Sequence, residues 1–186
     1  PECGARLGVM PRDGANIDIK WFEIEPCYVF HPLNSYEEGN KILLYVCKQK
    51  EAMVGGFQDI YGGDTTIGRL WKWTIDLDLG AVTEEQVDDA PCDFPRVDER
   101  KMGLRTDYGY CMTLETQAES LTMGRHLLKY DLVNKKRLTH DLGKNVTGGE
   151  PVFVPKSEDS GEDDGWVLGL AYEEEEAKSK LLIIDS

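Results

Sequence analysis

The sequence predicts an all-β fold of repeated antiparallel units, and three observations lead there. Short runs rich in β-branched and aromatic residues follow one another along the 186 residues, separated by turn chemistry. EPCYVFHP followed by YEEGNKILLYV is echoed by EPVFVP followed by EDDGWVLGLAY: a Glu-Pro step, an apolar strand, a proline, an acidic turn closed by glycine, and a second strand. An apolar strand ending in aspartate recurs in LWKWTID, LLKYD and LLIID, so that Asp76, Asp131 and Asp185 stand 55 and 54 positions apart. Repeats of about 40 to 50 residues, each a few antiparallel strands, are how propeller blades look in sequence. The period is loose, and a β-sandwich stays open as the alternative.

In chain order, strands are expected at Trp21 to Phe30, Lys41 to Cys47, Gly68 to Asp76, Tyr108 to Leu114, His126 to Leu132, Pro151 to Val154, Trp166 to Tyr172 and Leu181 to Ile184. QAESLTMGRHLLKY is the one stretch that could pass for helical, and Gly124 weakens it. YGGD, DLGA, TGGE and GEDDG between the strands are loop chemistry. YGGD and TGGE lack the strand-to-helix setting of a phosphate loop. EDSGEDDG lacks the ligand order of a calcium loop and reads as a surface loop, and the run from Glu173 to Glu176 as a solvated hairpin that discourages edge pairing.

His31 sits at the end of an apolar run and directly before Pro32. Proline pushes the preceding residue into an extended conformation, so the expectation is a histidine on the last extended position of a strand entering a turn. Such a residue can be a satisfied core group, a general base or a metal ligand. In a propeller the innermost strands converge on one axis, which is how residues far apart in sequence can build one site.

Composition narrows the function classes. A formal charge of -14 with 21 scattered Lys and Arg opposes a nucleic-acid or anionic-membrane partner, since a phosphate-binding surface needs clustered cations. No run approaches the roughly 20 apolar residues of a transmembrane segment. The five cysteines, Cys3, Cys27, Cys47, Cys92 and Cys111, are odd in number, widely spaced and without a CxxC pair, which argues against a disulfide framework or a structural zinc site. Each reads as a small apolar residue in a reducing, cytoplasmic setting, with peripheral membrane association left open. The chain begins at Pro1 without methionine and stops just as LLIIDS completes a strand, so residues 1–186 read as a partial propeller domain truncated at both ends. No Ser-His-Asp or Cys-His pairing can be argued for nucleophilic catalysis.

RLGVMPR, FHPLNSYEEG, CDFPRVD, LLKYDL, GEPVFVP and EDDGWVL, occurring in that order, resemble the later half of a carotenoid cleavage oxygenase. That family includes carotenoid and apocarotenoid dioxygenases, with lignostilbene dioxygenases and the vertebrate retinoid isomerase as relatives. The resemblance runs from about Arg6 to the C-terminus, and the combination is specific where each piece alone is weak. It implies a seven-bladed propeller, of which this chain holds several blades. It also implies one non-haem Fe(II) on the axis, held by four histidines with no carboxylate touching the metal, leaving room for O2. By match to the family's FHPxNxYE-type segment, His31 is one of the four ligands. Two others would precede residue 1, and the last would follow Ser186.

His126 and His140 read as surface histidines: the first begins a strand whose family counterpart is not a ligand, and the second lies in a polar turn. The family also places glutamates behind its metal-bound histidines, one just before an FPR-like segment and one in GEP. Those positions here are Asp93 and Glu150. Glu150 matches and is expected to orient the histidine beyond Ser186. Asp93 is one methylene short, so it is expected to reach His31 only through a backbone shift or a water. Its bland reading is a turn carboxylate before Phe94-Pro95.

The resemblance thus implies an Fe(II)-dependent dioxygenase cleaving a conjugated C=C bond of a carotenoid, apocarotenoid or stilbene-like substrate with O2. Phe30 and Trp21 are candidates to line a substrate tunnel, or simply to pack in a core. A non-catalytic propeller scaffold, or a lactonase-type metal-dependent hydrolase, is the alternative; the hydrolase would need a calcium or zinc site rich in Asp, Asn and Glu.

Overall fold

Among the described residues every strand pairs antiparallel with its sheet neighbours, most of them successive in the chain. The computed structural model describes residues 4–52, 66–117 and 120–186, so YGGD at 61–64 lies outside the described residues. Strands β1 (Ala5–Val9) and β2 (Lys20–Ile24) form a two-stranded sheet. β3 (Tyr28–Glu38), β4 (Lys41–Gln49), β5 (Arg69–Asp76) and β6 (Ala81–Gln86) form the first four-stranded sheet, in chain order. β7 (Cys92–Arg96), β8 (Tyr108–Gln117), β9 (Ser120–Asp131) and β10 (Lys136–Asp141) form the second in the same way. In the third, β11 (Val146–Gly148) and β12 (Val152–Pro155) pair with successive parts of β13 (Gly165–Glu173), and β14 (Lys178–Asp185) covers its other side. These meanders are blades of a partial β-propeller.

The echoes in the sequence are blade geometry. Asp76, Asp131 and Asp185 each close the third strand of a sheet. Asp76 Oδ1 accepts from the backbone N–H groups of Asp78 and Leu79, and Asp131 Oδ1 from that of Asn134. These Asx turns send the chain back into the fourth strand. The Glu-Pro echo marks the first strands β3 and β12. A proline also sits on each first strand, at Pro32, Pro95 and Pro155, where an edge position spares the missing N–H a ladder partner.

The second sheet is covered on both faces, and its strands show why. Along β8, Cys111 joins the cluster with Leu33, Cys47, Leu70 and Cys92, while Tyr110 and Met112 on the opposite face join Phe153 and Val167. Period-2 alternation therefore serves two inter-blade cores at once. Each fully buried Leu, Val or Phe in them is worth about 1.5–3 kcal/mol.

Four expectations change. The run from Trp21 to Phe30 is two strands, broken at Glu25 to Cys27 around Pro26, and Trp21 and Phe30 are exposed rather than packed in a core. His31 does not end a strand: β3 continues through register shifts on either side of Pro32 to Glu38, and the turn comes at Gly39, with φ +61°. A bulge, which absorbs a proline without ending the strand, is the reason. QAESLTMGRHLLKY falls in β8 and β9 where described; the place a Cβ would take at Gly124 lies 2.9 Å from the Thr113 carbonyl oxygen, so glycine permits close strand approach. Thr147 and Gly148 of TGGE are in β11.

The EDSGEDDG segment is a loop, as expected, but a docked one. Glu162 Oε1 accepts from Thr106 Oγ1 and from the N–H groups of Asp107 and Tyr108, and Arg100 donates to the carbonyls of Ser157 and Glu158. The acidic hairpin between β13 and β14 is exposed at Glu174 to Glu176. Among the described residues no helix is long and apolar enough to cross a membrane.

Candidate metal centre

First strands of neighbouring blades lie against one another, and the contact of β3 with β7 brings His31 to Asp93. His31 Nδ1 is 2.9 Å from Asp93 Oδ1, with the imidazole side chain 44% exposed and the carboxylate 7%. The same oxygen accepts the Phe94 N–H at 2.8 Å. Phe94 carries φ +55°, and the β7 ladder shifts register between Asp93 and Arg96. That irregularity of the backbone lets the short aspartate side chain meet the ring directly, the first of the two routes expected from its missing methylene. An ionised carboxylate only accepts, so Nδ1 carries the proton and the Nε2 lone pair is left available.

Aromatic groups fix the ring's attitude. Phe94 lies 5.1 Å from the imidazole centroid and Phe30 6.2 Å, while Tyr28 meets Phe30 edge-on at 4.8 Å. Tyr28 and Phe30 are exposed, so β3 presents apolar surface beside the imidazole. Burial pushes the Asp93 carboxyl above its usual range, against the lowering effect of His31 and the Phe94 N–H.

Glu150 stands one junction further on. Its Oε1 accepts from Arg96 Nη1 at 3.1 Å, and Arg96 Nη2 reaches Glu99 at 2.8 Å. Glu150 is half exposed and joins the segment before β12 to β7; the structure does not pair it with His31. His126 and His140 lie on β9 and β10, the outer strands of the second blade. His140 is exposed, as expected; His126 is half-buried, 3.8 Å from Glu115 and 3.9 Å from Asp141.

Sequence reasoning missed Arg96 as the partner of Glu150 and Phe94 as the wall of the imidazole. The FPR-like segment names both residues, but nothing in it shows which way they point. It also missed that Cys47, Cys92 and Cys111, on three different strands, meet in one place. A cavity of about 660 Å³ lies elsewhere, with Lys48, Lys50, Arg69 and Trp71 on its wall. His31 does not line it.

The donor set fits iron as far as it goes: one imidazole whose Nδ1 is tied to a buried carboxylate and whose Nε2 is free to bind. The family model described as Retinal pigment epithelial membrane protein matches residues 1–186. A carotenoid cleavage oxygenase of Mycobacterium tuberculosis is 36% identical over 192 residues, covering 100% of this chain and 38% of that protein. The crystal structure of cobalt-substituted Synechocystis apocarotenoid oxygenase superposes with a TM-score of 0.84 at 27% identity, covering 99% of this chain and 39% of that one. Pseudomonas brassicacearum lignostilbene dioxygenase gives a TM-score of 0.82 at 25% identity, over 96% of this chain and 40% of that one. The chain thus spans about two-fifths of the length of these relatives.

Proposed function

The chain belongs to the Retinal pigment epithelial membrane protein family, the carotenoid cleavage oxygenases, and from that membership we propose that it contributes one imidazole ligand to the Fe(II) centre of a C=C-cleaving dioxygenase. The carrying observation is the His31 Nδ1 contact with buried Asp93, which presents Nε2 as a fixed neutral donor. Bound Fe(II) supplies O2 activation beside a conjugated alkene. Asp93 sets the tautomer and the orientation of His31, as a carboxylate behind a metal-bound histidine does. Phe94 holds the ring plane, while Phe30 and Tyr28 offer apolar contact to a polyene, apocarotenoid or stilbenoid. Glu150, whose other carboxylate oxygen is not bonded to Arg96, would orient an imidazole supplied by another segment. The names of the relatives support carotenoid, apocarotenoid and stilbene-type substrates.

The test is made on the full-length protein. Iron is quantified and O2-dependent formation of carbonyl products is followed with a carotenoid, an apocarotenoid and a stilbenoid. Iron-dependent cleavage of one class, abolished in His31→Ala, supports the reading. Cleavage that survives His31→Ala with iron retained overturns the ligand assignment.

A further inference from the structure

Cys47 of β4, Cys92 of β7 and Cys111 of β8 come from two blades, yet their Sγ atoms all lie within 4.8 Å of one another. All three are buried, at 1%, 0% and 0% exposure. Leu33, Leu70 and Leu128 belong to the same cluster, so the thiols sit in a dry apolar setting. Its polar connection is the Tyr130 hydroxyl, 3.8 Å from Cys92 Sγ and 2.9 Å from Asp88 Oδ2, with Arg137 closing the chain on Asp88 at 2.6 Å.

We propose that this triangle is a trigonal thiolate site for Cu(I), separate from the His31 centre. Three sulfurs on a triangle with sides of at most 4.8 Å lie at most about 2.8 Å from its centre. A contraction of about 0.5 Å brings them to the roughly 2.3 Å of a thiolate bond to a d10 ion. Soft thiolates select Cu(I) or zinc, and zinc in a closed site takes four ligands. Among the described residues no imidazole or carboxylate joins the three sulfurs, and the rest of their core cluster is leucine, valine and tyrosine, with the Tyr130 hydroxyl donating to Asp88, which suits an ion content with three donors. Binding displaces thiol protons. Hydrogen bonds from Cys111, Cys47 and Tyr130 favour the Cys92 thiolate despite burial, while Cys47 and Cys111 are pushed well up by their neighbours and by burial, so Cys92 loses its proton first and the other two lose theirs only to the ion. Cys92 immediately precedes Asp93, so the ion would also anchor the strand that carries the carboxylate against His31. The proposal does not depend on the iron reading.

Because the triangle is closed to solvent, the full-length protein is loaded during expression in copper-supplemented medium and purified anaerobically. The expected result is one copper per chain that survives the Cu(I) chelator bicinchoninate, with a thiolate-to-metal ultraviolet band. X-ray absorption should show a shell of three sulfurs. Cys47→Ser and Cys111→Ser should each lose the ion and the band, and Cys27→Ser should keep both. The proposal is overturned by wild-type protein without chelator-resistant copper, by a nitrogen or oxygen shell around it, or by copper unchanged in both serine variants. Should the serine variants fail to fold, the wild-type absorption spectrum decides, since a histidine site gives nitrogen scatterers.

Discussion

Asp93 and Asp98 are buried carboxylates on one short segment, and they have opposite partners. Asp98, 1% exposed, accepts from Arg100 through Nε and Nη2 as well as from the Arg100 backbone N–H, capping the 3-10 turn over Glu99–Lys101. Burial raises its proton affinity, but the guanidinium more than offsets that and holds the carboxyl below its usual range. Asp93, 7% exposed, meets an imidazole and a backbone N–H, and there burial wins and the carboxyl is pushed up. A carboxylate that serves the fold is given a permanent cation. One that faces a group able to bind a metal through its other nitrogen is left costly until that metal is present.

That contrast can be broken in several places. The largest expected effect is at His31: in the full-length protein His31→Ala should lower Fe(II) retention by more than the roughly 10- to 100-fold that a supporting hydrogen-bond partner costs. Iron analysis after dialysis checks it, and denaturant unfolding should show a cost of about 1–3 kcal/mol, because buried Asp93 loses its side-chain partner. Next is Asp98→Asn, expected to cost about 1–3 kcal/mol in denaturant unfolding, since it leaves the Arg100 head group and its clamp on the Ser157 to Gly161 loop without their carboxylate. Iron binding should be unaffected.

The pH dependence should separate the two acids by sign. The low value of Asp98 means that its contribution is present above the ordinary carboxylate range and is lost as pH falls through its folded value. Asp93 behaves oppositely. Its folded form holds the proton more tightly than an ordinary aspartate does, so stability declines as pH rises from the ordinary carboxylate range through the raised value. Denaturation across the acid limb should show that decline in wild type and not in Asp93→Asn. The smallest effect is expected at Arg96→Gln, because the Arg96 to Glu150 pair is exposed and pairs of that kind contribute about 0–1 kcal/mol. A cost well above that would mean the second junction is as integral to the fold as Asp98.

The legible part of the fold is the part with strong patterning. LWKWTID, GYCM and WVLGLAY are strands because apolar alternation leaves them no better burial, and the aspartate and Glu-Pro echoes mark blade positions. Strands the sequence did not announce lie on edges. β10 is exposed along its whole length, β6 reads AVTEEQ, and β7 carries a proline, so none has the alternation that identifies a strand. At the site, His31, Asp93 and Glu150 could be named from the resemblance. Their pairing could not, because the Asp93 contact depends on the backbone at Phe94, and Arg96 competes for Glu150. The thiol triangle was illegible for a plainer reason: its members are 45 and 19 residues apart and obey no local spacing.

Fe(II) affinity and content of the full-length wild type, Asp93→Asn and Asp93→Glu address the role of Asp93 most directly. The account predicts that Asp93→Asn binds iron about 10- to 100-fold more weakly, since the amide keeps the shape but not the charge behind His31. Its unfolding free energy should stay within about 0.5 kcal/mol of wild type, as for a substitution that preserves packing. Asp93→Glu should not improve on wild type, because the aspartate already reaches the ring at 2.9 Å and the bend at Phe94 suits the shorter acid. Equal iron affinity in wild type and Asp93→Asn would contradict the claim that Asp93 prepares His31 for the metal.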